Sequence, residues 1–387
     1  MLGEELLLDK NETIGPKRFK VSNGRIYYRN NKEKFNGDTI KEIIAFIKAA
    51  IVKYGKTSIP IVLDLGRIQF EDKLTYIILE CICNYIMENY RIRIIIGCSV
   101  KHNIWAEGFQ SSVLPILSTG KKDDFRKFSE KYKYEIYGRH YRRIISETEW
   151  EKDIYLNSKI MEQVNWFLKN LHVERKNRDA MSEVVSELAG NVHDHTNGDC
   201  LIDIDVTSEY DKKDSDGTFY GLNLVVINFS ETLFGDGVKA RLSSDDMLNE
   251  RYDIVRMAYS NHKKFFKKGV YEEDDFYNIS AFQHKISGRT KRYTNGGTGL
   301  TKLIRSLEES SDTHNCYMIS GTHSVFFKQD YLNFNRENWI GFNDSNDYLN
   351  DGPGKGVIGE GYIYFPGTAY NLNFAMRKEE NNEKQGN

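Results

Sequence analysis

Residues 181–200 read MSEVVSELAGNVHDHTNGDC, and the fold of the chain turns on them. Glu183, Glu187, Asn191 and His195 recur every four positions. On an α-helix that spacing sets them in one row, each a turn above the last. Val184, Val185, Leu188 and Val192 lie beside the row, so the helix can bury one flank and present the row to a cleft. A carboxylate, a carboxamide and an imidazole on successive turns offer a proton acceptor and oxygen ligands for a small hard cation. Mg2+ accepts such oxygens and keeps several waters while it bridges substrate phosphates. A solvated helix face has the same spacing, so the row acquires meaning only from the residues downstream of it.

The chain has 387 residues, enough for a large core and, by length, two domains. A net charge of −2 argues against a general nucleic-acid binder. No apolar run reaches the roughly 18–20 residues of a membrane span. The start, MLGEELLLDKNETIG, is acidic and lacks the layout of a signal peptide. Five cysteines, with no CxxC pair, show neither disulfide nor zinc spacing and fit a reducing cytoplasm.

Upstream of the opening stretch, residues 17–30 alternate around Ser22-Asn23-Gly24, which predicts a short hairpin. Helical spacing covers 38–54, and IPIVLDLGRIQF (59–70) reads as a strand buried on both faces. A helix over 72–89 and a strand over 91–97 complete a βαβ unit, so residues 1–145 are expected to form a small α/β domain. Residues 120–152 mix charges of both signs with tyrosine and read as a solvated connector. A helix over 157–171 leads into the opening one. Downstream, 201–207 and 220–230 predict an antiparallel strand pair. Residues 231–295 have weak periodicity, with a helix near 245–266, and are expected to be a lid or insertion. CYMIS (316–320) and HSVFFKQD (323–330) read as a strand pair around Gly321, and 362–376 as the closing strand. The last residues, 377–387, are expected to be a disordered polar tail.

A second signal lies at Asn295-Gly296-Gly297-Thr298-Gly299-Leu300. Glycines let backbone N–H groups approach an oxyanion, and the helix that opens near Gly299 adds its partial positive charge. Lys285, Arg289, Lys291 and Arg292 precede the loop and could neutralise phosphate. The spacing fits neither a Walker A loop nor a dinucleotide fingerprint.

In their order these pieces resemble the ATP-binding domain shared by gyrase, heat-shock chaperone, histidine-kinase and mismatch-repair proteins, the GHKL or Bergerat-fold family, over about 155–376. SELAGNVHDHT is similar to that family's N box, especially in anti-sigma-factor serine kinases. The resemblance implies that Asn191 holds Mg2+, that Glu187 is the base activating water or a hydroxyl, and that His195 lies near the phosphates. Glu183, a turn further back, falls outside the motif and is expected to be ordinary surface. NGGTGLTKLI resembles the G2 box, with Gly297, Thr298, Gly299 and Leu300 wrapping the phosphates. FPGTAYNLNF matches the last strand, whose Thr368 would reach adenine through water. Where the family has Asp-x-Gly-x-Gly, this chain reads Asn228-Phe229-Ser230-Glu231-Thr232. Asn228 can accept the adenine amino group, more weakly than a carboxylate would. Gly235-Asp236-Gly237 could serve in a shifted register.

VLDLGRIQFED running into a helix resembles STAS domains, which carry a phosphorylatable Ser or Thr at the helix start; here that place reads Glu71, Asp72, Lys73. The expected architecture is therefore an α/β (α+β) chain: a Bergerat-type sandwich over 146–376 with a mixed, largely antiparallel sheet, and a lid at 231–295, preceded by the smaller α/β domain. The expected ligands are ATP and Mg2+, and the expected partner is another protein. Phosphoryl transfer or ATP hydrolysis is one reading and a nucleotide-gated interaction module the other. His172 ends a single short helix without a two-helix hairpin, which argues against a histidine kinase. His193 and His195 diverge on a helix and do not suggest zinc, and Cys200 and Cys316 have no basic motif beside them.

Overall fold

The computed structural model describes residues 2–11, 14–57, 59–195, 198–212, 215–244, 250–286, 299–310 and 315–380. The first half comprises α1 (Leu2–Asp9), β1 (Lys20–Ser22), β2 (Arg25–Arg29), β3 (Lys34–Phe35), α2 (Gly37–Tyr54), β4 (Ile61–Phe70), α3 (Lys73–Tyr90), β5 (Ile94–Val100), α4 (Ile104–Ser111) and α5 (Asp124–Lys133). Then come β6 (Tyr134–Tyr137), β7 (His140–Ile145), α6 (Glu147–Lys152), α7 (Leu156–Asn170), α8 (Arg175–His195), β8 (Cys200–Asp211) and β9 (Thr218–Asn228). The chain continues through α9 (Asp236–Ser243), α10 (Glu250–Lys267), α11 (Glu273–Ala281), α12 (Gly299–Ser310), β10 (Tyr317–Phe326) and β11 (Ile358–Arg377). The fold is mixed α/β, as expected.

In the first sheet, β1 and β2 form the predicted hairpin, with Asn23 (φ 49°) and Gly24 (φ 66°) both left-handed, the geometry that matches strand twist. β2, β3 and β5 all run parallel to the central β4. β4, α3 and β5 are thus the predicted βαβ unit. The Asp72 carboxylate caps α3 by accepting the Thr75 N–H at 2.8 Å. Every residue of α3 from Lys73 to Met87 is buried. A helix with no solvent face needs a neighbour on each side. The other neighbour of α3 is the second sheet.

That second sheet has six strands in the order β10-β11-β9-β8-β7-β6, every pair antiparallel. Leu222, Leu224 and Val226 on β9 join the core beneath α7 and α8. Val225 and Ile227, with Leu201 and Phe365, point the opposite way into the core around α3. Both faces of the sheet are therefore covered.

The covering by α3 buries charge as well as hydrocarbon. Lys73 Nζ lies 2.7 Å from Asp203 Oδ1, pairs also with Asp205, and donates to the Asn223 carbonyl at 3.1 Å. Arg142 is buried between Glu80, which its Nη2 contacts, and Asp203, whose Oδ2 lies 2.8 Å from Nε in an ion pair too bent for a hydrogen bond. His140 bridges Glu135 (Nδ1, 2.8 Å) and Asp203 (Nε2, 3.0 Å). Burial pushes the Asp203 carboxyl up, but Lys73, Arg142 and His140 together hold it well below the usual carboxylate range. For Glu80 the balance is reversed, and burial raises its carboxyl despite Arg142.

Two expectations change. Residues 120–152 are not a solvated connector: α5 is half-buried, and β6 and β7 extend the six-stranded sheet through β7–β8 pairing. The boundary at 145/146 falls directly after these two strands. Nor are 316–320 and 323–330 two paired strands; β10 is one strand, and Gly321 at φ 60° sits at its register shift against β11. Within 231–286, α10 and α11 contribute Tyr252, Val255, Phe276 and Ile279 to the core of α7 and α8.

Candidate functional site

Helix α8 is amphipathic for the expected reason. Val184, Val185, Leu188 and Val192 are buried, each contributing on the order of 1.5–3 kcal/mol by leaving water. Helix α7 packs closely alongside at Gly190, where an added Cβ would lie 2.6 Å from Asn157 Nδ2. The opposite flank carries the polar row. Glu183 and Glu187 stay 45% and 37% exposed in their side chains, reachable by a ligand yet held against α12. Asn191 is half-buried one turn on. His195 is the last residue of the helix, and its side chain, like those of His193 and Asp194, lies outside the described residues.

Helix α12 packs against α8 and brings a residue that no motif singles out. Lys302 Nζ contacts Glu183 and lies 3.8 Å from Glu187 Oε1. Glu183, expected to be ordinary surface, is thus half of an inter-helix ion pair. A basic side chain one turn after Gly299 is the signal in the sequence that could have found it. Gly299 and Leu300 open α12, while Gly297, Thr298, Arg289, Lys291 and Arg292 lie outside the described residues.

The field beside the first turn of α12 is positive. His284 Nδ1 lies 3.1 Å from Thr301 Oγ1. Its pKa is lowered first by burial and then by Arg251, Lys285 and Arg305. A helix N-terminus with this set of cations favours an anion.

Asn228 and Thr368 are direct partners across β9 and β11, and Asn228 also partners Cys200 at the start of β8. Strand alternation puts Asn228 and Thr368 on the face that carries Leu224, Val226 and Tyr370, the face covered by α8. Only residues 196–199 separate the end of α8 from Cys200, so this pair sits at the Asn191 end of the helix. Asn228 Nδ2 donates to the Asp199 carbonyl at 3.4 Å, which leaves Oδ1 as the atom that can accept. Gly367 precedes Thr368 at φ 90°, and an added Cβ there would lie 2.2 Å from the Asn228 carbonyl oxygen. Gly235-Asp236-Gly237 instead starts α9, where the Asp236 carboxylate accepts the Leu233 N–H at 2.8 Å. That bond ties this tripeptide to the turn that precedes α9.

At the start of α3, Asp72 accepts from Tyr317 at 3.0 Å as well as capping the helix, and Lys73 is sealed in the charged cluster. The place where a STAS reading would expect a phosphoacceptor is here a contact with the second sheet. No protein-family model matches the chain, and no curated protein or solved structure matches it.

Proposed function

We propose that the cleft between α8, α12 and the ends of β9 and β11 binds ATP with Mg2+. The observation that carries this reading is the pairing of Asn228 with Thr368 on the α8-covered face, at the Asn191 end of the polar row. Adenine would rest at that pair, with Asn228 Oδ1 accepting its amino group. The phosphates would lie toward Gly297, Thr298, Gly299 and Leu300, where Lys302 and the cations around His284 take up charge. Asn191 would hold Mg2+ through its amide oxygen, with His195 near the phosphates. Glu187 would accept the proton of water or of a partner protein's hydroxyl in a phosphoryl transfer governed by positioning and electrostatics. The setting is regulatory and cytoplasmic.

One observation favours a second reading, a nucleotide-gated interaction module with little turnover. Glu187 lies 3.8 Å from Lys302, so an ammonium already stands beside the carboxylate that a water or hydroxyl would have to reach. Calorimetric titration with ATP and Mg2+ on wild type and Asn191→Ala tests binding. The expected result is saturable binding that weakens about tenfold or more in the variant; silence from the wild type overturns both readings. Hydrolysis that disappears in Glu187→Ala while binding persists selects the enzyme. Binding without hydrolysis in the wild type selects the module.

A further inference from the structure

A cavity of about 790 Å3 lies on the other side of the six-stranded sheet, between α1, α3, α5, β7 and the segments 198–201 and 227–232. Its volume is that of a small-molecule site. The charge of its lining is one-sided. Eight carboxyl groups face one basic side chain, Lys133, and Lys133 lies 3.5 Å from Glu88. Among the described residues no ion pair engages Glu5, Asp9 or Glu231. Such a lining repels nucleotides and other anions.

A second observation is independent of the carboxylates. Asn84 is 2% exposed and lines the same cavity. Its Nδ2 donates to Glu4 Oε1 at 3.2 Å, but its buried Oδ1 accepts no hydrogen bond among the described residues. A buried carbonyl oxygen left without a donor costs about 1–3 kcal/mol, so it marks where a donor belongs. The carboxylates and this amide oxygen outnumber the donors of Lys133, Tyr132, Ser146, Ser230 and Thr232, so the matching ligand is one that chiefly donates. Leu6, Ile144, Leu201, Ile227 and Phe229 supply apolar wall between the acceptors. No group of three His, Cys, Asp or Glu among the described residues is gathered tightly enough to hold a metal ion. Spread acceptors with hydrocarbon between them fit ammonium groups spaced along an aliphatic stem better than a bare cation.

We propose that this cavity binds a linear aliphatic polyamine, its ammonium groups on the carboxylates and on Asn84 Oδ1 and its methylenes against the apolar wall. The segment 228–232 borders both this cavity and the Asn228–Thr368 pair, yet the proposal stands without the ATP reading.

Isothermal titration of the full chain with spermidine at physiological ionic strength tests it. The expected result is one saturable site. Glu5→Gln/Glu231→Gln should weaken it at least tenfold, and Asn84→Leu several-fold. Glu151→Gln/Glu162→Gln, which removes the same charge from exposed helix positions, should leave it unchanged. Absence of a saturable isotherm in the wild type overturns the proposal. So does an equal loss in the two double variants, because the binding would then be diffuse electrostatic attraction. Should Asn84→Leu fail to fold, the two carboxamide pairs still decide.

Discussion

Lys73 Nζ, on the first turn of α3, sits 2.7 Å from Asp203 Oδ1 on β8, with both side chains almost wholly out of water. One buried ammonium thus joins the first half of the chain to the second. Removing one partner of such a pair strands the other charge, which typically costs about 3–5 kcal/mol. Lys73→Ala is expected to lose that much in urea denaturation, with Asp203 and Asp205 left short of a cation. A loss under about 1 kcal/mol would mean that water reaches the cluster.

His140 gives the cluster a pH dependence. Burial pulls its pKa down, but Asp203 and Glu135 outweigh burial, and the folded value lies above the usual one. The stabilisation is therefore full below the unfolded value, about 6.5, and is lost as pH rises through the folded one. Lys73, on the facing helix, opposes the shift. His140→Asn should flatten the stability profile from about pH 6.5 upward. Chemical denaturation at a series of pH values measures this, and an unchanged slope would show that His140 does not titrate in that window.

Gly367 lets β11 pass Asn228 at close quarters. Gly367→Ala must place a Cβ 2.2 Å from the Asn228 carbonyl oxygen at a left-handed φ of 90°. A cost of about 3 kcal/mol or more is expected, since neither the backbone angle nor the neighbour can give. The lowered thermal midpoint should come with faster amide exchange at Thr368 and Ala369.

Glu183 and Lys302 are half-exposed, and Glu183→Gln should change stability by less than about 1 kcal/mol. Its effect is expected on the ligand. On the proposed ATP reading, Lys302 freed from Glu183 can turn to a phosphate, and ATP affinity should rise about two- to fivefold. Unchanged affinity would remove Lys302 from phosphate binding.

Elements whose burial matches their pattern were legible in the sequence: α2, β4, β5, α7 and α8 follow their apolar spacing, whereas α3, β8 and β9 lie where expected but bury their polar residues as well. β6 and β7 were not, because HYRRII carries its charges inward. Arg142 is wholly buried, and only the carboxylates of Glu80 and Asp203, distant in sequence, explain it. A local cue did exist: Tyr137-Gly138-Arg139-His140, with Gly138 at φ 56°, is a two-residue hairpin turn. The alternation of LIDIDVT implies one wet face and one dry face. Asp203 and Asp205 are dry too, since α3 covers them. At the candidate site, residue spacing supplied the α8 row, whereas the neighbour relation of Asn228 and Thr368 depends on strand order, which no local pattern carries. Lys302 needed the packing of α12 on α8.

The doubly covered sheet also bears on how such a chain can be divided. A gene fragment beginning at residue 146 would encode β8 as a bare edge, with Asp203 and Asp205 short of their cations and Val225, Ile227 and Phe365 facing water. The fragment ending at 145 would display α3, β6 and β7 with nothing to cover them. Neither piece is a tradeable module. Recombination that moved one without the other is expected to yield an aggregating product.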